Sequence, residues 1–286
     1  MTAHQPIRIR AWTQAILTLL ICLFVAAPVA AQQALKVGLL PTLSPRALIT
    51  QYQPLRDYLE RELGRPVVLH TAPDFTTFHR ETENGSYDLV LTAAHLARLA
   101  QLEGRLQPLA TYRATNRPIL VMAKARPVKT VAELRGRRLA IFDPMALVIL
   151  HSLRWLEEQG LQAGRDFQVL DTPSHNSVAH AVATGEVLLG VTAPAGMRGW
   201  PEELRDKLAI HAELPPVSAL IWAAHPRLGS DIPRLKALLL RFPESAEGRQ
   251  FLAQTAYQGL REVSAEEMRA LDPYAREVGR LLRAQP

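Results

Sequence analysis

Cysteine is nearly missing from this sequence. Cys22 is the only one among 286 residues, so the chain can close no internal disulfide and offers no cluster of thiolates to a metal. Aromatic residues make up 6%, and no stripe of lysine and arginine is interleaved with them, so the footprint of a nucleic-acid binder is absent. Missing too are a G-x-S-x-G elbow, an H-E-x-x-H helix, a phosphate-binding P-loop and a G-x-G-x-x-G turn after a strand. Ser174 and His175 are adjacent, which points their side chains in different directions and argues against a nucleophile–base pair. His79, His151, His180 and His211 are scattered, and His175 and His180 are five apart, off the spacing that sets two metal ligands on one helical face. No enzyme, metal or cofactor is expected.

What is present begins with an export signal. Arg8 and Arg10 precede an uncharged run over residues 15–25, shorter than the ~20 residues a membrane span needs. Val29 and Ala31 are small residues placed for a cut after Ala31, so residues 1–31 read as a signal peptide that carries Cys22 away with it, with an uncleaved membrane anchor as the alternative. Ile21, bulky before Cys22, argues against a lipid-anchored form. The cut removes two arginines and no acids, taking 33 basic residues to 31 against 27 acidic ones, a net of +4. That mild excess suits a small anion or a negatively charged membrane surface.

The remaining residues alternate strand and helix patterns. Residues 34–41 form an apolar run ending at Pro41, and Leu48, Tyr52, Leu55, Leu59 and Leu63 recur at helical spacing up to Gly64, with Pro54 as a possible kink. Further strands are read at residues 66–72, 87–92, 106–114, 118–125, 138–143, 166–173 and 187–194. Helices fall between them: Asp74 caps one, Thr130 caps another that ends at Gly136, and residues 96–104, 146–161 and 176–186 form the rest. After residue 226 the composition is helical to the end. The alternation predicts an α/β fold with two lobes, each a mostly parallel sheet flanked by helices, and a helical C-terminal segment packed on the first lobe.

The order and spacing of "LKVGLLPTLSPRALITQYQPLRDYLERELGRPVVLHTAPDF", "GSYDLVLTAAHLARL", "KTVAELRGRRLAIFDPMALV" and "TPSHNSVAHAVATGEVLLGVTAP" resemble the periplasmic phosphate, phosphite and phosphonate-binding proteins, the solute-binding components of ABC importers. The resemblance covers nearly all of the chain after residue 31. It implies a type 2 periplasmic-binding-protein fold, with lobe 1 from residues 32–119 and 222–286 and lobe 2 from residues 120–221. Chain crossings are expected near residues 117–128 and 215–226, with a ligand held between the lobes. It also implies a periplasmic monomer working with a membrane permease or, as the alternative, a membrane sensor protein.

Carried over residue by residue, the resemblance assigns Pro41, Thr42 and Leu43 after the first strand and Thr92, Ala93, Ala94 and His95 after the "DLVLT" strand to the ligand cleft. In the second lobe it assigns His175, Asn176 and Ser177, with Thr192 in the place where the family has an acid for a ligand amine. The family's Ser/Thr-rich anion cradle is matched by "FDPMALV", which contributes Asp143, Met145 and Ala146, no hydroxyl, and a carboxylate that repels a phosphonate at close range. Tyr112 and Tyr52 line either the cleft or the core.

Two histidines have open readings. His175 is either a donor to a ligand oxygen or a ring packed beside a helix capped by Ser174 or Asn176. His95 is either a cleft donor or a solvated residue on its helix's first turn. Asp143 is expected to cap a helix beginning at Met145.

Overall fold

The computed structural model describes residues 33–284, so the expected signal peptide and its cut near Ala31 lie outside the described residues. In chain order, β1 (Leu35–Leu39), α1 (Pro45–Leu63), β2 (Val67–His70), α2 (Phe75–Glu83), β3 (Leu89–Ala93), α3 (Ala94–Leu102) and β4 (Gln107–Tyr112) come first. The chain continues through β5 (Ile119–Ala123), a 3-10 turn at Val131–Leu134, β6 (Arg138–Ile141), α4 (Leu147–Glu158), β7 (Gln168–Asp171), α5 (His175–Ala183) and β8 (Leu189–Thr192). It then forms α6 (Pro194–Arg198), α7 (Glu202–Arg205), β9 (Leu208–Glu213), β10 (Leu220–Ala224), α8 (Asp231–Arg241) and α9 (Ala246–Gln254). Last come β11 (Leu260–Glu262), α10 (Ala265–Ala270) and α11 (Asp272–Ala284).

Local chemistry sets many of these boundaries. Pro45 opens α1, the helix runs unbroken through Pro54, and Gly64 ends it in a left-handed conformation at φ 69° with its N–H on the Glu60 carbonyl. Asp74, Ser174, Ser245 and Ser264 each accept a backbone N–H from the first turn of the helix they precede. Thr130 with Glu133 and Ser264 with Glu267 complete reciprocal capping boxes.

The strands assemble into two sheets, β11-β4-β10-β3-β1-β2 and β7-β6-β8-β5-β9. Pairing is parallel within β2-β1-β3 and β7-β6-β8, but β10 runs antiparallel to both β3 and β4, and β5 runs antiparallel to both β8 and β9. The sheets are therefore mixed, not mostly parallel. Each receives one strand from the chain as it crosses over from the other sheet, β5 on the way out and β10 on the way back, and that strand enters in reverse.

Both sheets are covered on both faces, as period-2 alternation requires. Leu89 and Leu91 of β3 enter a core with Leu35, Val37, Leu39, Tyr52 and Trp222, whereas Val90 between them faces a second core with Phe78, Leu96 and Ala275. In the other lobe Leu139 and Ile141 of β6 point one way, and Ala140 points the other way to Val178 and Val182 of α5.

The chain passes from β4 to β5 through residues 113–118 and returns from β9 to β10 through residues 214–219. These segments bond to each other at Asn116 and Val217, whose backbones exchange N–H···O bonds of 3.0 and 2.8 Å. The expected crossings at 117–128 and 215–226 are displaced. The first contains β5, a strand of the second sheet, and the second contains β10, an internal strand of the first.

The C-terminal segment is not purely helical, since β11 adds an edge strand to the first sheet beside β4. α8 and α9 pack on the first lobe, but α11 lies against α3 and also reaches α4 of the second lobe. Met268 and Leu271 accordingly sit in a cluster with Ala94, Ala97, Leu147 and Ile141, which spans both lobes.

Candidate functional site

Parallel strands deliver their following loops and helix N-termini to one edge of a sheet, where ligands of open α/β folds bind. Here the first sheet sends the turn after β1 and the start of α3 to that edge. The second sends the turn after β6 and the starts of α5 and α6.

His175 is the best-fixed side chain at the second edge. It is the first residue of α5, with Ser174 as the cap, so the cap and the ring are separate features of the same turn. The Nδ1 atom lies 2.9 Å from the Thr192 hydroxyl at the end of β8, and Thr192 is fully buried. The Phe142 ring packs against the imidazole with centroids 3.9 Å apart, and the Trp200 indole N–H donates to the His175 carbonyl over 3.1 Å. Beneath the ring is Gly196, where an added Cβ would fall 2.3 Å from Nδ1, closer than any side chain allows. Burial lowers the ring's pKa from its ordinary value, so His175 is neutral at neutral pH. When Thr192 donates to Nδ1, the ring proton resides on Nε2, which is then a donor for a ligand oxygen.

Asp143 sits in the turn after β6. Its Oδ1 accepts the Met145 N–H at 2.8 Å, and its own carbonyl accepts from Ala146. It closes a local turn and does not cap α4, which starts only at Leu147 with Ala146 as its cap. Partial burial raises the Asp143 pKa, and the nearby Asp171 carboxylate raises it further, while the Met145 N–H opposes both.

His95 reaches across from the first lobe. Its Nε2 is 2.8 Å from the Met145 carbonyl, an acceptor, so Nε2 must carry the proton. The residue is 1% exposed, which removes the solvated reading, and burial pushes its pKa down to about 4.

The structure thus joins His95 with Met145, and His175 with Thr192, while Asp143 bonds to the backbone of Met145. Pro41, Thr42 and Leu43 lie at the first sheet's edge, with the Thr42 N–H on the Leu40 carbonyl and Leu43 exposed. Thr92 is buried opposite Ile221 of β10, and Ala93 and Ala94 lead into α3.

One assignment, Tyr112, separates from the cleft. Tyr112 is a core residue 2% exposed, stacked on Tyr257 at 4.0 Å and bonded to Trp222 and Tyr52; the apolar faces of β4 and α1 put it there. Asn176 and Ser177 line a groove of about 550 Å³ with Asp171, Thr172, His180 and Leu204. His175 is not part of that lining. Phe142, Gly196 and Trp200, which hold His175, were not foreseen, because a lone Phe, Gly or Trp carries no sequence signal for a packing partner elsewhere in the chain.

The family described as the periplasmic substrate-binding protein of the phosphonate ABC transporter matches residues 37–268. The chain belongs to this family. Solved structures agree on the fold. XAC2383 from Xanthomonas citri, in a structure bound to ATP, is 18% identical, with 88% of this chain and 99% of that one covered and a TM-score of 0.74. PhnD1 from Prochlorococcus marinus (MIT 9301), in complex with methylphosphonate, is 15% identical over 86% and 98% of the chains, with a TM-score of 0.70. The periplasmic aliphatic sulphonate binding protein SsuA from Escherichia coli is 18% identical over 89% and 94%, with a TM-score of 0.63. The two mixed sheets described above are those of a periplasmic binding protein, and the family is that of a transport component. Among the described residues, no helix is long and apolar enough to cross a membrane, and no three His, Cys, Asp or Glu side chains gather to hold a metal.

Proposed function

We propose that this phosphonate-family binding protein, exported and cut near Ala31, acts as a monomer that captures a small anion between its lobes and presents it to the permease of an ABC importer. The observation that carries the reading is His175, locked from four sides by Thr192, Phe142, Gly196 and Trp200 at the N-terminus of α5. A neutral imidazole so fixed, beside the free N–H groups of a helix start, suits an oxyanion. It makes no use of a nucleophile, and the role proposed is binding without catalysis. Pro41, Thr42, Leu43 and the start of α3 would supply the opposite wall.

Asp143 then sets which anion is accepted. It stands where the family has hydroxyl donors, and its carboxylate repels each additional negative charge on the ligand. A monoanion such as an alkylsulfonate or a singly protonated phosphonate is favoured over a dianion. Calorimetric titration with methanesulfonate and methylphosphonate at mildly alkaline pH tests this. The expected result is tighter binding of the sulfonate, and a gain for the phosphonate in Asp143→Ser. Equal affinities in both proteins would remove Asp143 from the selectivity.

A further inference from the structure

Two hydrogen bonds made by histidine rings cross between the lobes. His95 on α3 donates to the Met145 carbonyl of the second lobe at 2.8 Å. His151 on α4 has its Nδ1 2.9 Å from the hydroxyl of Tyr274 on α11, the helix that also lies against α3. Each ring has its other nitrogen, Nδ1 of His95 and Nε2 of His151, buried with no hydrogen-bond partner. A neutral ring tolerates this arrangement, since the second nitrogen is a weakly hydrated acceptor. A protonated ring does not, because its second N–H would be a buried donor with nothing to accept it.

We propose that His95 and His151 form a proton-operated catch, which holds the two lobes together when both rings are neutral and parts them when either ring is protonated. They are positioning residues for solute capture, and the proposal rests on the clamp reading above.

The surrounding charges leave His95 without a carboxylate to stabilise its cation, and His151 with only Glu158, which Arg154 offsets. On α2, His79 faces His95 and lowers its pKa further, while Glu83 is 3.4 Å from His79. On α3 itself, Arg98 is held by Asp272 of α11 at 2.6 Å. In the turn after β6, Asp143 has its Oδ1 on the Met145 N–H. Around His151, burial lowers the pKa, Glu158 opposes that and Arg154 adds to it, and those two bond to each other at 3.4 Å.

The sign follows. A buried ring with a depressed pKa favours the joined lobes at high pH, and the advantage shrinks as pH falls below the ordinary value. If His95 returns to 6.5 in the parted lobes against about 4 in the joined ones, the ratio of joined to parted molecules falls about thirtyfold by about pH 5.

Residues 32–286 contain no cysteine, so Leu102→Cys on α3 and Ile210→Cys on β9, both exposed positions, allow a fluorophore pair to report the separation of the lobes. The protein is read without added solute from neutral pH to about pH 5. The expected result is a growing separation on acidification, abolished in His95→Gln/His151→Gln, which retains amide hydrogen bonding but cannot titrate. A separation that does not change with pH in the parent, or that changes equally in the double variant, overturns the catch. Where the double variant fails to fold by circular dichroism, His151→Gln alone decides, because it must shift the transition toward lower pH. Methylphosphonate added at neutral pH forms a separate arm: no response there, with the pH response intact, defeats the ligand class and leaves the catch standing.

Discussion

At the scale of single residues, the proposed recognition depends on how His175 is held more than on its presence. Removing the ring by His175→Ala leaves the Thr192 hydroxyl buried without its partner and takes away the Nε2 donor. Calorimetry should show ligand affinity weakened by about 1 to 3 kcal/mol with the fold retained. Gly196→Ala should act similarly although it removes nothing polar, because the new methyl would meet the ring at 2.3 Å. Unchanged affinity in both variants would reduce His175 to a packing residue. His175 was legible through the matching "SHNS" turn. Its clasp was not, since Phe142 and Trp200 lie 33 and 25 positions away and meet it only after β6, β7 and β8 align. Tyr112, open between cleft and core in the sequence, is placed in the core by three aromatic neighbours that enclose it.

At the scale of elements, caps and turns decide where the cleft-facing ends lie. Ser174 fixes the first turn of α5 by accepting the Ser177 N–H, and this places His175 at the helix's first position. Ser174→Ala should cost about 1 kcal/mol of stability, read as a lower urea midpoint at unchanged slope. No loss would mean that packing of Val178 and Val182 sets the helix unaided. Elements with a strong period were plain in the sequence: Leu35, Val37 and Leu39 read as strand, and Tyr52, Leu55 and Leu59 as helix. β9 was missed because His211 and Glu213 interrupt its apolar pattern, and β11 because its three residues are too few to show a period. β10 was likewise not read as a strand, since its segment was expected as a crossing, and the reversed direction of β5 was hidden for another reason. Alternation reports which face a residue takes and says nothing of which way the strand runs.

At the scale of the whole molecule, two lobes joined by paired crossings at Asn116 and Val217 make a hinge with little to resist rotation except what lies across the seam. On the clamp reading proposed above, the cluster from Ala94 through Leu147 to Met268 and the histidine bonds would supply that resistance and make solute affinity and lobe closure one equilibrium. The two-lobed plan was legible from the strand–helix alternation and the family resemblance, whereas α11's bridging position was not, since its apolar stripe fits either lobe equally well. Capture of an anion is the claim on which the rest depends. The most direct test is a thermal-shift panel on residues 32–286 with phosphate, phosphite, methylphosphonate, alkylsulfonates, sulfate, carboxylates and amino acids. A solute at about 100 times its dissociation constant stabilises the folded state by about 2.7 kcal/mol. The account predicts a rise in Tm with the phosphonate or sulfonate members and none with neutral or zwitterionic amino acids. A rise confined to amino acids, or no rise with any member, would contradict it.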